Sequence, residues 1–314
     1  MLGLIARRIL RTVPVLLLVS FGTVLLLDLV PGTPAASLLG PDASAESIAE
    51  LNDQLGYTDS LPQRYGRWLG DVVTGDFGES IRTHEPVLDS IKKRLAVTLE
   101  LAVLALTFAL LLGIPAAMYA AYRAGGRFDR IATGLASAFI SSPVFLTALV
   151  LVYWLSVKGG WFPVTGWSKL SEGVPENLRH AFLPALSLAL GEASVFMRLL
   201  RSDLINTLQE EYILFARSTG LPTRRILFRY ALRPSSFSLV TIAGLAFSRL
   251  IGGAVIVEIL FALPGLGQLL VQSIFNKDYA IVQGVVMFIA IIFVTLNVII
   301  DVAYGYLDPR TRAE

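Results

Sequence analysis

A chain of 314 residues that is 54% hydrophobic and 16% charged, with a mean hydropathy of +0.66, is too apolar for a soluble domain, where apolar usage runs about 45–50% and charge about 25%. It reads as an all-α polytopic membrane protein, and its net charge of +2 gives no ground for a nucleic-acid partner. With no cysteine, disulfides and thiolate metal sites are excluded, and any outward loop is held by packing alone.

A helix needs roughly 20 apolar residues to cross a ~30 Å hydrocarbon core. Six stretches reach that length: residues 9–30, 95–122, 131–157, 181–200, 237–261 and 279–304. An amino terminus placed inside puts Arg7, Arg8 and Arg11 in the cytoplasm, followed by Arg123, Arg127 and Arg130, then the arginines from Arg198 to Arg233, and finally Arg310 and Arg312. This follows the excess of basic residues on the inner side of membranes, so both termini are expected in the cytoplasm. Residues 1–30 could instead be a cleaved signal peptide, with small residues near Ala35 and Ser37. The apolar run exceeds the usual 7–15 residues of such a segment, which favours a retained anchor.

Between the first two spans, residues 31–94 form the one sizeable polar segment, expected outside as a small helical cap. Trp68, Leu69, Val72 and Val73 are its expected packing face, and so short a unit needs to rest on the membrane core. Residues 158–180 form a second outer loop, in which Trp161, Phe162 and Trp167 read as interfacial aromatics. The core of the chain is residues 95–305, with a cytoplasmic loop at 201–236 and a tail at 306–314.

Within that loop, residues 210–234 are a polar, basic island between apolar spans. Tyr212, Phe215, Ala216 and Thr219 repeat at helical spacing, Gly220 stops this first short helix, and Pro222 suits the first turn of a second. Together they predict a rigid knob bearing Arg217, Arg224, Arg225, Arg229 and Arg233, placed to dock a cytoplasmic partner. The plainer alternative is a basic juxtamembrane loop that holds lipid head groups, each charge contributing about 1 kcal/mol.

No G-x-x-x-x-G-K-[ST] run is present, so any ATP is handled by another chain. His84 and His180 lack H-E-x-x-H spacing and there is no G-x-S-x-G turn, which leaves neither catalytic residues nor a metal site to assign. Charges at membrane depth each cost about 2.5–3.5 kcal/mol to insert. Arg249 and Glu192, midway along the fifth and fourth predicted spans, are expected to meet, either as a polar wall of a translocation path or as a structural ion pair. Asp28, Glu100, Glu258 and Asp301 lie nearer span ends, where water is within reach. Gly113, Gly252 and Gly253 suggest close helix packing, and Pro143 with Phe145 suggests a kink lining a cavity. The candidate path residues are therefore Pro143, Phe145, Glu192, Arg249 and Glu258.

Several runs in order, LLLDLVPGTPAASLLG, QRYGRWLGDVVTGDFGES, SSPVFLTALVLV, HAFLPALSLAL, EYILFARSTGL, GAVIVEILFALPGLGQLL, NKDYAIVQG and YLDPR, resemble the permease subunits of bacterial ABC importers of the dipeptide, oligopeptide and nickel branch. The resemblance covers nearly the whole chain. It implies that Glu211, Tyr212, Phe215, Ala216, Arg217, Gly220 and Leu221 form the coupling segment that seats on an ATPase. Leu214 and Phe215 depart from the Glu and Ala usual there, Thr219 from a frequent Lys, and Lys277 and Ala280 from an Arg and a Pro. It further implies a bacterial inner-membrane location, a second homologous permease, two ATPase subunits carrying ATP and Mg, and an outer solute-binding protein. No cofactor on this chain and no nucleic-acid partner are expected. The expected cargo is a short peptide, or a nickel chelate or another small solute. The rival classes are an ion-driven secondary transporter and a polytopic membrane enzyme.

Overall fold

The computed structural model describes the backbone of residues 2–307 and the side chains of residues 12–300. Arg7, Arg8, Arg11, Asp301, Arg310, Arg312 and the closing run of the tail lie outside the described side chains. The first helices are α1 (Leu2–Asp28), α2 (Pro34–Leu39), α3 (Ala45–Gln54), α4 (Leu61–Thr74) and α5 (Val87–Tyr122). They are followed by α6 (Arg127–Ser141), α7 (Val144–Leu151), α8 (Val174–Thr207), α9 (Glu211–Ser218) and α10 (Thr223–Arg225). The last are α11 (Leu232–Gly253), α12 (Val255–Leu260), α13 (Leu266–Phe275) and α14 (Tyr279–Leu307).

Among the described residues four helical runs are long and apolar enough to cross a bilayer: α5, α8, the continuous run Thr223–Gly253, and α14 as far as Ile300. The third predicted span is broken. α6 and the run Val144–Lys158 bend by 113°, because Pro143 lacks an N–H and drives Ser142 out of the helical region, to φ −88° and ψ 131°. Counted as one span, this pair is a fifth, and Thr12–Asp28 is a shorter apolar helix. The stretch 237–261, read as one span, is divided between α11 and α12 at Ala254.

The helices sort into two compact units, one of Met1–Thr98 with Pro264–Val302, the other of Leu99–Leu263 with Ala303–Glu314. In the first, α4 rests on α1. The Tyr65 ring meets the Phe21 ring edge-on at 5.3 Å, the Tyr65 and Ser20 hydroxyls lie 2.9 Å apart, and Arg64 pairs with Asp28. Val72 is buried on this face, but Val73 is 80% exposed. One residue is 100° of helix rotation, so Val73 cannot share the face set by Tyr65 and Val72. Burial above all pushes the Tyr57 phenol well above its usual range. Val87, Ile91, Leu266, Leu269, Ile281 and Val285 form a core. Gly284 permits it, since a Cβ there would stand 2.4 Å from Val87 Cγ1.

The second unit packs around small residues, including Ala117, Ala120, Ala189, Ala193 and Ala246, together with Phe196, Leu200 and Leu204. Gly113 lets α5 approach α8 so closely that a Cβ would sit 2.9 Å from the Ala193 carbonyl oxygen. Gly252 and Gly253 do not have the close packing expected of them, because the space where their Cβ atoms would stand is open.

Candidate functional site

The loop from α8 to α11 begins with α9, whose ends are set by sequence. Glu211 stands in its first turn and Arg217 in its last, each opposite in sign to the helix dipole at that end. At the far end the Gly220 N–H donates to the Arg217 carbonyl (3.0 Å) and the Leu221 N–H to the Ala216 carbonyl (3.2 Å). Gly220 has φ +76°. This is a Schellman closure with glycine in the left-handed position, as the sequence predicts.

The face turned inward differs from the expected stripe. Ile213 and Ala216 are buried, packed in one cluster with Leu200, Leu204 and Leu208 of α8 and its end, and with Ile226 and Ala231. Tyr212, Leu214 and Phe215 are exposed, Phe215 at 71%. Residues 212 and 215 therefore lie on a free apolar face, while the helix is anchored by its 213 and 216 positions.

The second short helix is not separate. Pro222 caps α10, which passes through a π-helical turn (Ile226–Ala231) directly into α11. Pro234 falls in the first turn of α11 and offers no N–H to the Tyr230 carbonyl. The Tyr212 hydroxyl donates to that carbonyl at 3.4 Å, which ties α9 to the base of α11. Partial burial, then the Glu210 carboxylate, push the Tyr212 phenol up, so it stays a protonated donor. Arg224, Arg225, Arg229 and Arg233 are exposed along this continuous run.

One connection was missed in the sequence. Asp129, 3% exposed in the first turn of α6, accepts both a 2.6 Å bond from Arg201 Nη2 and a second bond from Arg201 Nε on α8. The Gly125 N–H donates to the same carboxylate at 2.8 Å. The signal available was a lone acid among Arg123, Arg127 and Arg130, which were read for topology only.

A cavity of about 330 Å³ opens in this unit. Ser142, Val144 and Thr147 line it from the broken span, Ser187, Gly191 and Glu192 from α8, and Arg249 and Gly253 from α11. Glu192 and Arg249 meet as expected, with Arg249 Nη2 donating to Glu192 Oε2 at 2.9 Å. The kink at Pro143 is present, but its neighbours Ser142 and Val144 line the space while Pro143 and Phe145 do not. Glu258, expected near water, is instead fully buried on α12 and is not among the lining residues.

Residues 113–313 match the family of binding-protein-dependent transport system inner membrane components, and residues 1–102 match the N-terminal region described for such components. A probable peptide ABC transporter permease protein of Sinorhizobium fredii is 34% identical over 98% of each chain. A putative peptide transport system permease protein of Brucella abortus is 38% identical over 99% of each. Among solved structures, the methionine ABC transporter MetNI in inward facing conformations shares the fold, with a TM-score of 0.58 at 16% identity, over 70% of this chain and 96% of that one.

Proposed function

The chain belongs to the family of binding-protein-dependent transport system inner membrane components, and on that premise we propose that it is the membrane-spanning subunit of an ATP-driven importer of short peptides. The observation that carries this reading is α9: a helix anchored by Ile213 and Ala216, closed by Gly220, with Tyr212, Leu214 and Phe215 left exposed. A peptide cargo is supported by the names of the two relatives, which align with the chain from end to end.

In this account α9 seats on a cytoplasmic ATPase that supplies ATP and Mg, and both termini lie on that side. A second, homologous permease completes the path, a second ATPase serves it, and residues 31–94 meet a solute-binding protein outside. Nucleotide binding draws the ATPases together, and α9 passes the movement to α8 and α11 as a change between discrete packings. Arg225, Arg229 and Arg233 serve anionic lipid beside the ATPase. A nickel chelate or another small solute would use the same machinery.

The test is copurification of this chain with two ATPase subunits, then uptake of labelled peptide into vesicles with and without ATP. Uptake that follows an ion gradient and ignores ATP would assign the chain to the secondary transporters instead.

A further inference from the structure

We infer that the cavity between the broken third span, α8 and α11 is a transient seat for the two charged ends of a free peptide, with Arg249 receiving the carboxylate and Glu192 the ammonium; this deepens the peptide-import reading and rests on it. The cavity volume of about 330 Å³ falls within the range of small-molecule sites, about 300–1,000 Å³. Its polar lining is one ion pair together with Ser142, Thr147 and Ser187, the last of which donates its hydroxyl to the Pro184 carbonyl at 2.7 Å.

The ion pair is loosely made. It closes through one guanidinium nitrogen, Nη2, and the Arg249 side chain remains 51% exposed while that of Glu192 is 16% exposed. A guanidinium has five N–H donors in a fork that matches a carboxylate in two-point fashion. A pair that served only to fix helix register would have its remaining donors and lone pairs satisfied by further hydrogen bonds. This one instead faces open space at membrane depth, where each charge is costly.

Charge balance sets the ligand class. A molecule with both a carboxylate and an ammonium exchanges the Arg249–Glu192 contact for two new contacts and leaves the cavity with no added net charge. A ligand blocked at either end leaves one member of the pair without a partner at membrane depth, where an unpaired charge is costly. A free peptide of a few residues meets the requirement, and its N-acetyl or C-amide derivative does not.

The test uses the assembled permease and ATPase complex without binding protein, so that capture outside does not filter the ligands. Binding of radiolabelled trialanine is competed with trialanine, N-acetyl-trialanine and trialanine amide. The wild-type complex should prefer the free peptide over each blocked form by at least about tenfold. R249Q should erase the discrimination against the amide only, and E192Q that against the N-acetyl form only. Equal competition by all three in the wild type, or loss of both preferences together in each variant, overturns the inference. If a variant fails to assemble, the wild-type series still decides. Peptide uptake by the complete reconstituted system, run alongside, separates the two levels. Uptake without end discrimination overturns this seat alone, whereas absence of both binding and uptake overturns the peptide reading with it.

Discussion

At Gly220 a φ of +76°, with nothing within 4 Å of where a Cβ would stand, separates backbone strain from crowding. A β-branched residue there pays about 1–2 kcal/mol for the left-handed conformation, and the Schellman closure that orients α9 loosens. Gly220→Val should keep ATP hydrolysis and lose peptide uptake by about tenfold, a change of roughly 1.4 kcal/mol. Gly220→Asn, which tolerates that conformation, should retain most uptake; equal losses in both variants refute the account of this residue. A second residue-scale prediction concerns Asp129 and Arg201. Because Arg201 is 26% exposed, removing Asp129 should cost about 2–3 kcal/mol, below the 3–5 of a fully buried pair. D129A and R201A combined should lose clearly less than the sum of the singles in thermal unfolding, and strict additivity contradicts a direct pair. Gly220 was legible because glycine takes the left-handed closing position at least cost. Asp129 was not, since nothing in a single chain tells which of several nearby arginines, or none, a carboxylate will meet.

Among the described residues five helices end with the same hydrogen-bonded closure, with glycine in the left-handed position of α3, α4 and α9 (Gly56, Gly75 and Gly220). α12 instead has Ala262 at φ 52° and α13 has Lys277 at φ 55°. In α12 the Leu263 N–H donates to the Glu258 carbonyl at 2.8 Å, and in α13 the Asp278 N–H donates to that of Ser273 at 2.9 Å. Ala262→Gly should therefore raise stability by about 1 kcal/mol. Lys277→Gly should gain less, because Lys277 Nζ also donates to the Pro31 carbonyl at 2.7 Å. Thermal unfolding in detergent checks both; an unchanged midpoint for Ala262→Gly would falsify the strain. At this scale α9 was readable, and the continuity of α10 with α11 was not. Pro234 breaks the ladder at the Tyr230 carbonyl, yet the π turn just before it and the Tyr212 hydroxyl on that carbonyl let the run Thr223–Gly253 continue through it. The break at Pro143 was readable for the opposite reason, as it falls mid-span with Ser142 extended.

For the whole molecule, apolar length located the second, fourth, fifth and sixth predicted spans among the described residues, since hydrocarbon thickness fixes helix length. It could not show that the third is bent by 113° or that the fifth ends early at Gly253. Nor could chain order show that residues 1–98 pack in one unit with residues 264–302, because pairing of distant segments leaves no periodic trace. The meeting of Glu192 and Arg249 was readable, as two costly charges at similar depth leave each other as the nearest partner. The openness of the space beside them was not. The central claim, that α9 couples this membrane subunit to an ATPase for peptide import, is tested most directly by uptake of a radiolabelled peptide into proteoliposomes. These hold this chain, its homologous permease and two ATPase subunits, with binding protein supplied outside. The account predicts uptake that requires ATP and is lost when any subunit is omitted; peptide accumulation by this chain alone, driven by an ion gradient, would contradict it.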